Sequence, residues 1–336
     1  MFVNKDNINN YLKVWLFTMY FLVISMIIVG GLTRLTDSGL SITAWELFSG
    51  LLPPMNIDKW NFYFSEYKKI PEYKLVNFDM TLNEFKTIFC WEYSHRLLAR
   101  VVGIISIIPI IYFTFKFKKS PFYLKKYYFI FFLICIQGFL GWFMVTSGLV
   151  KNTDVSHFRL ALHLTLALII LMVILWDIFK LYNVDKFITK ISTLFLFFLF
   201  SLLFFQIILG AFLAGLDGGL IYNTWPDMNG FFLPNEIIVY DFLKLDSFSN
   251  PSIVQFYHRI IGYLIIVFTL ILNYLFLKEK IEFRYIMIFN SAITLQVILG
   301  IFTLITGVEI KYASLHQIGS IFVLSSYLLI VYKNSN

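Results

Sequence analysis

Charge is scarce in this chain. Asp, Glu, Lys and Arg make up 14% of its 336 residues, where a soluble domain carries about a quarter, so a water-exposed globule is excluded. Cysteine is scarcer still. Cys90 and Cys135 are the whole supply, too few and too differently placed for a disulfide framework. Cys135 falls mid-span and is expected in a helix core; Cys90 falls at the far end of a long loop. Apolar volume is plentiful: 59% of residues are hydrophobic and 20% aromatic, with a mean hydropathy of +0.77. That is the composition of a membrane protein.

Uncharged apolar runs of spanning length recur at about 14–33, 97–117, 123–148, 158–176, 191–215, 258–277, 285–308 and 312–332. The reading is an all-α membrane protein with eight transmembrane helices. The first run is longer than a secretory signal core and lacks a small-residue cleavage site. It is therefore expected to be kept, with a bacterial inner membrane as the simplest address.

Short-loop charge sets orientation. Residues 116–126 hold five Lys and no acid, and 177–190 and 278–284 are also basic. The loop 214–257 has one Lys and five acids. Both termini are expected in the cytoplasm, with the long loops 34–94 and 214–257 outside. The net charge of +7 is mostly this topology signal and makes no case for nucleic acid.

The chain repeats itself. Residues 27–54 set against 207–234 without a gap give nine identities in 28 positions, among them Gly30/Gly210, Asp37/Asp217, Trp45/Trp225 and Pro54/Pro234. WEYSHRLLARVVG then matches IVQFYHRIIGYLI around His95 and His258. QGFLG matches QVILG, and LALHLTLA matches YASLHQIGS around His163 and His316. The halves are 1–185 and 186–336. Four spans each gives both halves the same orientation, a parallel repeat, expected as two four-helix bundles side by side.

Four of the five histidines fall into the repeat, and each lies near the outer entry of an even-numbered span. Two imidazoles from two helices at one height are how a bundle core holds a cofactor. Two are too few for a closed zinc site but enough for the axial positions of a heme. Arg96 and Arg259 follow His95 and His258 directly, where a guanidinium can pair with a heme propionate; Arg34 and Arg100 are further candidates, and each has snorkelling to the interface as its plain alternative. The halves differ at one telling place. Glu92 stands three residues before His95, where the second half has Gln255 before His258. Likewise Arg100 becomes Tyr263 and Arg34 becomes Ala214. A buried carboxylate can act as a base, a proton donor or a stabiliser of positive charge, so the first half reads as the chemical one. The alternatives are a b-type diheme cytochrome that only passes electrons, and a transporter built from repeats.

The stretches GGLTRLTDSGLSITAW (30–45), WEYSHRLLAR (91–100), LALHL around His163, NTWPDMNG (223–230), FYHRIIGY (256–263) and SLHQIG (314–319) together resemble the heme A synthase family, in the form found in alphaproteobacteria and mitochondria. The resemblance implies conversion of heme O to heme A: the methyl at porphyrin position 8 is oxidised twice, and the gem-diol loses water to a formyl group, supplying heme A for cytochrome c oxidase. It implies a resident heme b on the irons' axial ligands His258 and His316, the substrate heme on His95 and His163, and Glu92 as the residue assisting oxidation. It also implies the prenyl transferase that makes heme O (heme O synthase) as a partner, and admits self-association. The cysteine pair that some members carry in the first loop has only Cys90 here.

Overall fold

In the computed structural model, which describes residues 5–46, 49–116, 121–150, 152–234 and 237–335, all regular structure is helical apart from one isolated bridge between Met228 and Phe231. Ten α-helices appear in chain order: α1 (Lys5–Leu35), α2 (Ile57–Tyr67), α3 (Pro71–Leu75), α4 (Leu82–Lys116), α5 (Pro121–Val145), α6 (His157–Leu181), α7 (Thr193–Gly215), α8 (Pro251–Lys278), α9 (Phe283–Ile305) and α10 (Ile310–Asn334). Among the described residues, eight helices are long and apolar enough to cross a membrane: α1 and α4 to α10. The eightfold count matches the hydropathy reading. Residues 117–120 of the basic 116–126 loop lie outside the described residues.

The boundaries differ most at α4, which starts at Leu82 rather than near 97. Its start is fixed by a reciprocal cap: the Thr81 amide donates to Glu84 Oε2 at 2.8 Å, and the Glu84 amide donates to Thr81 Oγ at 3.4 Å. Hydropathy sees only the lipid-exposed part of such a helix. The remainder is amphipathic and carries a loop core of its own.

By contact the chain forms two compact units, Phe17–Leu171 and the residues up to Leu16 together with those from Met172 onward. In the first unit, the loop after α1 folds over the start of α4. Phe64 stacks on Phe85 at 5.0 Å, Tyr67 meets Phe85 at 5.2 Å, and Phe85 meets Phe89 at 5.9 Å. These rings are all but buried, with Leu40, Ile42 and Ile70 beside them; each ring removed from water is worth about 1.5–3 kcal/mol.

In the second unit, α8 begins with Asn250 accepting from the Ser252 and Ile253 amides and with Pro251 in the first turn. Asn290 donates to Asn273 at 2.7 Å, tying α9 to α8 inside the apolar layer. Tyr327 of α10 donates to the Leu196 carbonyl of α7 at 2.7 Å. The connecting segment 185–191 is stitched to the end of α10: Ile191 N–H donates to Asn334 Oδ1 at 2.8 Å and Asn334 Nδ2 returns to Ile191 O at 3.0 Å.

Cys135 corrects the reading of its span. It is exposed, as is Cys90. A helix in lipid carries apolar residues on both its packed and its lipid faces, so sequence apolarity does not say which face is the core.

Candidate functional sites on the two helical units

Each of the four repeated histidines is seated in the same way. Its imidazole lies over a glycine of the preceding span. A Cβ added at Gly30 would fall 2.6 Å from His95 Cε1, at Gly141 3.0 Å from His163 Cε1, at Gly210 3.3 Å from His258 Cε1, and at Gly300 2.9 Å from His316 Cε1. At Gly30 and Gly300 a Cβ would force the ring to shift, and at Gly141 and Gly210 it would be a tight contact.

One turn before three of these glycines stands a glutamine, and its amide holds the histidine's helix. Gln137 Nε2 donates to the His163 carbonyl, Gln206 Nε2 to the His258 carbonyl and Gln296 Nε2 to the His316 carbonyl, each at 2.9 Å. The sequence reading missed these glutamines. The QGFLG/QVILG match contained two of them, and the identity of Gly30 with Gly210 pointed at the third seat.

In the second unit the ring centroids of His258 and His316 are 6.4 Å apart, with planes at 74°. His316 Nδ1 lies 3.1 Å from the Gln296 carbonyl. The tautomer that donates from Nδ1 there leaves the Nε2 lone pair for a metal. The Nδ1 atoms of His258 and His95 are buried with no hydrogen-bond partner. In the first unit His163 lies within electrostatic reach of His95, and the Gln137 amide also approaches its ring nitrogens at 3.2 and 3.3 Å. Among the described residues, no three His, Cys, Asp or Glu side chains are grouped to hold a metal ion. A metal in either unit would need most of its ligands from the group that carries it.

Counted from the start of its helix, His95 is nearly four turns in, whereas the other three are about two turns in. The extra length is the α4 extension into the loop. His157 opens α6 and rests on Phe158 at 4.1 Å.

Glu92 is 4% exposed and fully engaged. Its Oε2 accepts from Ser41 Oγ at 2.7 Å and from the Ile42 amide at 2.8 Å; its Oε1 accepts from Arg96 Nε at 3.0 Å and Nη2 at 2.6 Å. Arg96 goes on to donate to the Ile42 carbonyl at 2.7 Å and the Ala44 carbonyl at 2.9 Å. The second unit repeats the arrangement without the carboxylate. Arg259 donates to the Tyr222 carbonyl at 3.2 Å and the Thr224 carbonyl at 3.0 Å, and Gln255 Nε2 donates to the Tyr222 carbonyl at 3.0 Å. Ile42 and Ala44 occupy the places of Tyr222 and Thr224 in the repeat.

Arg100 donates to the Glu46 carbonyl, and with Arg96, Tyr63, Tyr93, Ile42 and Glu46 it lines a shallow pocket under the first loop. Arg34 pairs with Asp37 at 2.6 Å. The structure thus brings Glu92, Arg96 and Arg100 together; Arg34 sits at the end of α1 with Asp37, and Arg259 belongs to the other unit. In the second loop Thr224 holds the Asp227 carboxyl below the usual carboxylate range through its hydroxyl.

Four sequence similarities bear on these sites. A family profile described as cytochrome oxidase assembly protein matches residues 13–328. The chain is 61% identical over 336 residues, the full length of both, to a protein of Pelagibacter ubique (strain HTCC1062) named heme A synthase. It is 43% identical over 318 residues, 93% of this chain and 94% of the relative, to one of Rickettsia bellii (strain OSU 85-389) bearing the same name. It is 40% identical over 332 residues, 97% of this chain and 99% of the relative, to one of Rickettsia prowazekii (strain Madrid E), again of that name.

Proposed function

The chain belongs to the heme A synthase family of cytochrome oxidase assembly proteins, and from that premise we propose that it oxidises the C8 methyl of heme O to the formyl group of heme A. The resident cofactor is heme b, held by His258 and His316, and the substrate heme is held by His95 and His163.

The observation that carries this reading is the separation of His258 and His316. Two imidazoles on opposite sides of one metal would stand about 6.2 Å apart between centroids, from two bonds of about 2 Å and about 1.1 Å inside each ring. The observed separation is 6.4 Å. The donor set fits the group as well: two neutral imidazoles, glycine-backed and in an apolar bundle, suit an iron whose other four ligands come from a porphyrin.

When bound, the hemes supply the redox chemistry that the side chains lack. The chain's own part is binding, orientation and charge. Gly30 and Gly141 set how closely the substrate's two imidazole ligands approach their neighbouring helices. Glu92 places a carboxylate one turn from His95, where the second unit has the neutral Gln255. Its charge offsets positive charge developing on the substrate, and it takes or returns a proton on the loop side of the bundle. Arg96 and Arg100, close together under the loop, are the groups that pair with propionates in the first unit; Arg259 does so in the second, and Arg34 is a further candidate. Arg96 and Arg259 already hold loop carbonyls, so propionate binding there couples the heme to the loop.

The address is a bacterial inner membrane with both termini in the cytoplasm, the histidines near the outer face, and heme O synthase as supplier. The repeat makes 1–185 the catalytic half and 186–336 the heme b half. The test is to purify the protein from cells that make heme O and identify its extracted hemes by chromatography and mass spectrometry. Heme b with heme A, or with hydroxylated heme O, is expected. Heme b alone despite abundant heme O rejects the reading in favour of an electron-transfer cytochrome.

A further inference from the structure

The four histidine seats are alike in their glycine and unlike one turn before it. Gln137, Gln206 and Gln296 each lie one turn before the glycine and bind the histidine's backbone carbonyl. One turn before Gly30, on the helix face that carries this glycine, the chain has Met26, the repeat counterpart of Gln206. A thioether donates no hydrogen bond and is flexible. Where a glutamine is present, the amide bond ties the helix that carries the imidazole to the helix that backs it, in a layer with no water to replace the bond.

A second difference accompanies the first. Gln206 lies against Gly262, one turn after His258, and the matching residue after His95 is Ala99. A Cβ at Gly262 would lie 3.5 Å from Gln206 Nε2, an ordinary contact. A glutamine at position 26 therefore has room beside Ala99. Sterics do not force the methionine.

We propose that Met26 is a positioning residue that leaves the His95 seat unclamped, so that heme exchanges there while the clamped His258 seat retains its heme. A resident cofactor and a substrate make opposite demands on seats of the same design. The methionine answers the second demand by omitting one interhelical bond. The proposal rests on the assignment of the substrate heme to His95 and His163.

The experiment measures the rate at which each heme leaves the purified, loaded protein for an excess of an apo heme-binding acceptor protein, with the hemes distinguished by extraction. The variants are Met26→Gln, Met26→Leu and Gln206→Met. An interhelical hydrogen bond in a membrane changes such a rate by roughly threefold, and up to about twentyfold. Met26→Gln is expected to slow loss of heme O or heme A by that factor and leave heme b loss unchanged. Gln206→Met is expected to speed heme b loss alone, and Met26→Leu to behave as the parent. A general loosening or tightening of the bundle would move both hemes together and overturns the proposal, as do unchanged rates in Met26→Gln and Gln206→Met. If Met26→Gln does not accumulate, Gln206→Met decides by itself: unchanged heme b loss overturns the proposal. Extraction of heme b alone from heme O-rich cells overturns the functional reading and this proposal with it; unchanged rates in a protein holding both hemes overturn this proposal alone.

Discussion

Ile42 and Tyr222 stand at matching places in the two halves, and each gives its carbonyl to the arginine that follows a histidine. Beside that arginine the first half has a carboxylate, with all four of its hydrogen bonds made inside the protein, and the second half has an amide. The comparison separates two things that Glu92 does. Holding the loop against the helix needs no negative charge, since Gln255 and Arg259 manage it with backbone carbonyls. What remains special to Glu92 is the negative charge. The loops differ in the same sense. The first builds an aromatic core of Phe64, Tyr67, Phe85 and Phe89, while the second is held by short 3-10 turns, with Phe248 between Phe212 and Tyr257.

The largest break in this comparison comes from the ligands. His258→Ala is expected to strip heme b and with it all activity, whereas His95→Ala is expected to keep heme b and form no heme A; pyridine hemochrome spectra of the purified variants check both. Equal loss of heme b in the two would dissolve the distinction between the halves. Next in size is Glu92→Gln. The second unit shows that an amide is compatible with this scaffold, so the variant is expected to fold, retain heme b and lose roughly 10²–10⁴-fold in heme A formation. Gln255→Glu is expected to leave turnover within a few-fold, and parent-like turnover by Glu92→Gln would remove the charge from the mechanism.

A sharper and smaller contrast lies in the glycines. Gly30→Ala pushes a methyl to 2.6 Å from the His95 ring, Gly210→Ala only to 3.3 Å from His258. Displacing a substrate ligand by a fraction of an ångström costs on the order of tenfold to a hundredfold in rate. Gly30→Ala is thus expected to lower turnover with heme b intact, and Gly210→Ala to shift the heme b spectrum slightly.

The smallest effect concerns the first loop alone. Burial pushes the Glu72 carboxyl up to about 8, with Asp154, Glu92 and Asp37 adding repulsion. Its folded value lies above the unfolded one, so between about 4.5 and 8 the folded state binds more protons and stability falls as pH rises. Glu72→Gln is therefore expected to raise the melting temperature by a few degrees at pH 9 and to leave it unchanged near pH 4. Equal shifts at both pH values would mean that the charge is not the cause.

The eight spans were legible because lipid demands long apolar helices whatever else a chain does. The four histidines were legible because the repeat singled them out from a background with almost no other polar groups. The seats beneath them were not. Gly141 and Gly300 drew no assignment, since nothing in one sequence says which helix a glycine faces. Gln137 and Gln296 lay in the repeat itself but drew no assignment, because the carbonyls they bind are backbone groups of a different helix. The start of α4 was placed about fifteen residues late, because Leu82 to Glu92 is amphipathic and its partners are loop rings rather than lipid. Cys135 was misplaced for the reverse reason: in lipid, exposure carries no polar signature.

The unbroken course of α4 through that stretch has a mechanical consequence. From Leu82 to His95 the helix has neither proline nor glycine; its one proline, Pro109, comes later. Phe85 and Phe89 on its early turns are gripped by the loop, and His95 rides the same rod a turn and a half further on. A stiff rod passes twist and tilt along its length. The aromatic cluster is therefore a handle on the imidazole, and whatever presses on the loop from the water side re-aims the ring at the other end.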